Sequence, residues 1–174
     1  EITSEFTAEI LLAMLEEEDQ DVLTWEQSQR HGVLLEEVKA SQFDRYAGQD
    51  LEGQYQAYME DGYSDQVWKN LDHSDANRDH FGVWFTAMVA FRNVEKAHRV
   101  LDHWYLQTLK YTTQDQVSLP YSLWKTQTVP ITLPKGQIRG NYDRSTVHIK
   151  RPHGRPQLMA DIHGGLGNQL FMVS

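Results

Sequence analysis

Residues 82–92 read Gly-Val-Trp-Phe-Thr-Ala-Met-Val-Ala-Phe-Arg, and both alternating faces of that run are apolar. A strand with one wet face alternates apolar with polar, whereas a strand apolar on both faces has to be covered on both. Helices supply that cover, so this one segment predicts a layered α/β fold. The rest of the chain offers them. Phe6, Ile10, Leu11, Met14 and Leu15 fall on one helical stripe, closed by the acidic run 16–19. Acids at a helix C-terminus oppose the macrodipole, and fraying is expected there. Residues 22–25 predict a short strand, 30–32 a loop, and 33–40 a short helix. Leu51, Tyr55, Tyr58 and Met59 mark a second amphipathic helix that Gly62 ends. Residues 63–80 are polar and mixed, a loop long enough to carry function. Beyond the covered strand, Asn93 suits the N-cap of a helix whose buried face is Ala97, Leu101, Trp104, Tyr105 and Thr108. Thr113 and Gln116 have the spacing of a capping box, and 129–133 reads as a further strand ended by Pro134 and Gly136.

Charge narrows the function classes. The chain carries 25 acidic against 16 basic residues, a formal net charge of −9. Such a surface repels phosphate backbones and anionic lipid, so nucleic acid is not an expected partner. The one basic cluster spans 144–155. Cysteine is absent, which excludes disulfides, thiolate metal sites and a cysteine nucleophile, and fits a reducing compartment. No apolar run approaches the roughly 20 residues a membrane helix needs, so no membrane segment is expected.

The segment Thr112-Thr113-Gln114-Asp115-Gln116-Val117-Ser118-Leu119-Pro120-Tyr121 places a carboxylate in the first turn of a helix. Read plainly, Asp115 complements the positive end of the dipole. Read as chemistry, a carboxylate on a rigid helix start beside a cleft orients an acceptor hydroxyl or takes its proton. Both readings fit the residues. Asp19-Gln20-Asp21 spells Asp-x-Asp, yet it follows a helix and precedes a strand, the wrong context for a metal site at a strand exit. His73 and His80 with Asp72, Asp75 and Asp79 suit a hydrophilic lid loop, and His98 and His103 suit a helix surface.

A doubly covered strand, a helix bearing Trp104, a loop ending in Asp-Gln, a helix and a strand closing in Leu-Pro resemble the C-terminal half of GT-A (Rossmann-like) glycosyltransferases. More narrowly, Arg30 with Glu36-Glu37, Tyr58 to Gly62, residues 83–92, Trp104 and Asp115-Gln116-Val117-Ser118 to Tyr121 look like the family first described as domain of unknown function 616. That family is the glycosyltransferase-like domain of plant cell-wall and bacterial proteins, and the resemblance covers about 1–134. It implies Asp115 and Gln116 as catalytic residues on the acceptor side, shaped by Ser118 and Tyr121. It also implies Arg30 facing the donor or packing the cleft wall, held by Glu37. Glu26-Gln27 stand where the family has a Lys-His-like pair. The implied cofactor is a divalent metal, Mn2+ or Mg2+, with its acidic motif expected N-terminal to Glu1 and His153 as a late ligand.

A second resemblance is separate. Residues 158–162 read as a strand running into Gly164-Gly165-Leu166-Gly167-Asn168-Gln169-Leu170-Phe171, which resembles the opening of α-1,2-fucosyltransferases. A strand, a Gly-rich turn and then a helix is how a nucleotide-sugar domain begins. Gly164, Gly165, Gly167 and Asn168 would then border a substrate cleft. Three parts are therefore expected. Residues 1–134 form a GT-A-like domain lacking its N-terminal part, 135–157 a linker or substrate loop, and 158–174 the truncated start of a second domain. The alternative is that the strand from Leu158 packs back on the first domain. The expected activity is transfer of a sugar from a nucleotide-sugar donor to a glycan hydroxyl, with the isolated 174 residues inactive alone. The alternatives are fucosyl transfer by the C-terminal domain and a non-catalytic carbohydrate-binding module that uses its aromatic residues as platforms.

Overall fold

The computed structural model describes residues 8–43, 46–69 and 81–133, with the short strands at 146–147, 160–161 and 170–173. The elements run α1 (Ala8–Glu17), β1 (Val22–Glu26), a 3-10 turn (Ser28–Arg30), α2 (Leu34–Ser41), α3 (Leu51–Glu60) and α4 (Gln66–Lys69). They continue with β2 (Trp84–Arg92), α5 (Glu95–Lys110), α6 (Asp115–Lys125), β3 (Ile131–Leu133), β4 (Thr146–Val147), β5 (Ala160–Asp161) and β6 (Leu170–Val173). Four strands form an open mixed sheet in the order β3-β1-β2-β6, with β1 parallel to β3, antiparallel to β2, and β2 parallel to β6.

β2 is covered on both sides, as its sequence requires. Trp84, Val89 and Phe91 enter a large core with Leu34, Tyr58, Trp104 and Leu119 from α2, α3, α5 and α6. Ala90, with Phe85 and Met88, joins a small core under Leu11 and Leu15 of α1. The register along β1 shifts between Leu23 and Trp25, where β2 carries an irregularity. Such a bulge lets one strand feed both faces out of strict alternation.

Several local expectations are corrected. α1 ends in a hydrogen-bonded turn, where Asp19 adopts a left-handed φ of 49° and Gln20 N–H closes on the Leu15 carbonyl at 2.9 Å. Residues 63–69 are not merely polar loop, because Tyr63 and Trp68 are buried in the large core and α4 lies among them; residues 70–80 lie outside the described ones. Val94, not Asn93, occupies the α5 N-cap, and Asn93 pairs instead with His98 at 3.0 Å. The buried face of α5 is Ala97, Val100, Trp104 and Gln107, while Tyr105 is 57% exposed. Trp104, common to the expected and the observed face, donates its indole N–H to the start of α6.

At the C-terminal end, the short strand of 158–162 is β5 at Ala160–Asp161, paired antiparallel with β4. Leu170–Val173 is a strand beside Val89–Arg92, where a helix was expected after the Gly-rich turn. Its Leu-Phe-Met-Val run has the apolar, β-prone character of an extended segment.

Candidate functional site

β1 and β3 are parallel, and both end at the same edge of the sheet, beside the beginning of β2. In open α/β sheets the carboxyl ends of the strands are where ligands collect. Polar residues gather at that edge. β1 ends in Glu26 and is followed by Gln27, both buried. The 3-10 turn delivers Arg30, and the left-handed pair His31 (φ 49°) and Gly32 (φ 67°) then turns the chain into α2. Close approach is needed here: a Cβ on Gly82 (φ +125°) would lie 2.9 Å from the Gly32 carbonyl oxygen.

α2 supplies Glu37, the hub of a buried network. Its carboxylate accepts from Arg30 Nε at 2.7 Å, Ser41 Oγ at 2.9 Å and Gln114 Nε2 at 3.0 Å. Gln114 Nε2 also donates to Ser41 Oγ. The amino end of α2 is held from afar, since Leu34 N–H donates to both oxygens of Asp65 at 3.3 Å. Burial raises the Asp65 carboxyl above the usual range, and that Leu34 donor opposes the shift.

The loop before α6 is fixed by α3 and by Gln49 just before it. Thr113 N–H donates to Gln49 Oε1 at 2.7 Å, and Thr112 Oγ1 donates to Gln54 Oε1. The expected capping box is therefore absent: α6 begins after Gln114 with no side-chain cap, Thr113 is engaged by Gln49, and Gln116 Nε2 donates to the Trp84 carbonyl at 3.3 Å. Asp115, in the first turn, is 4% exposed. Trp104 Nε1 and Ser118 Oγ both donate to its carbonyl, at 3.1 and 3.2 Å.

Arg30, Glu37, Asp115 and Gln116 are thus brought to one edge, Arg30 and Glu37 directly paired. Ser118 and Tyr121 are not part of that edge. Ser118 accepts from Trp104 Nε1 at 3.1 Å and serves the α5–α6 packing. Tyr121 stacks on Tyr58 with ring centroids 3.8 Å apart and donates its hydroxyl to Asp61 at 2.6 Å. Six positions along a helix turn a side chain through well over one and a half revolutions, which takes Tyr121 off the Asp115 face. Gly164, Gly165, Gly167, Asn168 and His153 lie outside the described residues.

The Asp-x-Asp spelling is accounted for structurally. Asp21 sits at the opposite edge of β1, paired with Arg92 and Lys96 at 3.4 Å each. Among the described residues no three His, Cys, Asp or Glu converge as metal ligands. His103, expected on the surface, is half-buried with Nδ1 3.0 Å from Ser122 Oγ; burial first, then Lys125, lowers its pKa. Sequence reasoning missed Gln114 and Ser41. Gln114 adjoins Asp115, but no local pattern announces Ser41 as its partner 73 residues away. No described helix is long and apolar enough to cross a membrane. Comparison with family models, with curated proteins and with solved structures yields no match for this chain.

Proposed function

We propose that this chain is part of a GT-A-like glycosyltransferase that moves a sugar from a nucleotide-sugar donor to a hydroxyl of a glycan acceptor. The observation that carries the reading is the placement of buried Asp115 in the first turn of α6, beside Gln116 and the Glu37 network, at the carboxyl edge of β1 and β3. Asp115 orients the acceptor hydroxyl and takes its proton. The hydroxyl oxygen bonds to the anomeric carbon, the bond from that carbon to the diphosphate breaks, and the nucleoside diphosphate leaves with the electron pair. The Glu37 network holds the first turn of α6 while this happens, a supporting role that keeps the base in position. No step is assigned to a metal or to Gly164–Asn168, the residues on which fucosyl transfer would rest.

The test is nucleoside-diphosphate release by the intact protein with and without Asp115→Asn. Release abolished with acceptor binding retained supports the assignment. Unchanged release removes Asp115 from the reaction and moves the reading to a saccharide-binding module.

A further inference from the structure

At the other end of α6 the surface opens into a cleft of about 450 Å³. Trp68 and Leu123 line it and are themselves buried, Trp124 and Val129 line it partly exposed, and Lys125 and Gln127 stand exposed at its margin. None of these six takes part in the Glu37 network. The volume lies in the range of small-ligand sites, which pair an apolar lining with a few placed polar groups.

Gln127, like Asp19 and His31, is a non-glycine residue at positive φ, and of the three it is the one that lines this cleft. The end of α6 closes with Gln127 N–H on the Trp124 carbonyl at 3.0 Å and Thr128 N–H on the Leu123 carbonyl at 2.9 Å. That double closure needs a left-handed residue, ordinarily glycine, and Gln127 adopts it with φ 54°. Strain at a residue that lines a cleft is a pointer to use, because glycine would relieve it and abolish the side chain. The amide so retained offers one acceptor and two donor hydrogens.

The charge at the margin is already answered. Lys125 Nζ donates to Asp61 at 2.6 Å, Asp61 also accepts from Tyr121, and the ammonium lies 5.3 Å from the Trp124 ring centroid. A compensated ammonium does not make an anion site. An indole wall, a neutral amide and a fixed, neutralised donor suit a ring with an apolar C–H face and hydroxyl edges. We propose that this cleft binds a saccharide unit of the acceptor, about 15 Å along α6 from Asp115 by helical rise. The choice of ligand class rests on the glycosyltransferase reading, while the binding itself requires no transfer.

The experiment follows the five tryptophan indole N–H signals of the chain by nitrogen-edited NMR, with Trp124→Phe identifying the relevant one. Cellotriose and maltotriose at millimolar concentration are the probes, and inorganic phosphate is the control. The expected result is a shift of the Trp124 signal with a trisaccharide and none with phosphate. Gln127→Gly is expected to raise the thermal midpoint while weakening trisaccharide binding about fivefold, the loss of one hydrogen bond. No shift with either trisaccharide, a response to phosphate instead, or unchanged affinity in Gln127→Gly overturns the proposal. The Trp124 shift and the effect of Gln127→Gly are both read without turnover. A failed transferase reading therefore leaves this readout intact, and a failed cleft leaves nucleotide release intact.

Discussion

At the first turn of α6, Gln114 and Asp115 are 3% and 4% exposed, and Glu37, Ser41, Arg30 and Trp104 hydrogen-bond around them, while Gln114 Oε1 is buried without a hydrogen-bond partner. At its last turn, Lys125 and Gln127 stand in the open, held by a single carboxylate and a strained backbone. The same helix thus joins a fixed end to an accessible one. Fixed geometry is what a reacting group needs, since small displacements there are costly. Accessible, unconsumed polar groups are what a binding surface needs.

The largest expected effect breaks the fixed end. Glu37→Ala removes the carboxylate that Ser41, Gln114 and Arg30 share, leaving Gln114 only Ser41 Oγ and Arg30 no counter-charge, and should cost about 3 kcal/mol in a denaturant titration. Lys125→Ala, at the open end, should cost less than about 1 kcal/mol by the same measurement, as exposed ion pairs do. Trp104→Phe deletes the donor to the Asp115 carbonyl and Ser118 Oγ and should cost about 2 kcal/mol. Gln127→Gly has the opposite sign: relief of the left-handed strain should stabilise by about 1 kcal/mol. A loss of stability there would mean the side chain contributes to the fold and not to a cleft.

The smallest effect is on pH. Hydrogen bonds from Lys125 and then Tyr121 hold the Asp61 carboxyl below its ordinary value. A folded pKa below the unfolded one adds stability above the usual carboxylate range, and that stability disappears as pH falls through the lowered value. Asp61→Asn should therefore flatten the acid limb of a stability–pH curve and converge with the unaltered protein at low pH. The same flattening with Glu37 intact and Lys125 removed would locate the effect in this one pair.

The covered strand was legible because apolar side chains on both faces of 82–92 leave no other solution than cover on both sides. Helices α1 and α3 followed from their apolar stripes. The first turn of α6 was legible as a place, through Asp115, but not as an arrangement. Thr113 and Gln116 match a local cap in spacing, yet Gln49 and the Trp84 carbonyl, 64 and 32 residues away, take them. Partners that distant leave no periodic trace. The face of α5 misled similarly, because Tyr105 adds to an apolar stripe without being needed by the core. Gln127 shows the converse: a polar residue in an unremarkable turn, whose meaning depends on a backbone angle that the sequence does not carry.

The most direct measurement separates the two ends kinetically, using acceptor-dependent turnover of the intact protein with Asp115→Asn and Trp124→Ala. If the first end reacts and the second binds, Asp115→Asn lowers kcat with KM for acceptor retained, and Trp124→Ala raises KM with kcat retained. Loss of kcat in Trp124→Ala with Asp115→Asn fully active contradicts the assignment of α6 as the helix that joins catalysis to recognition.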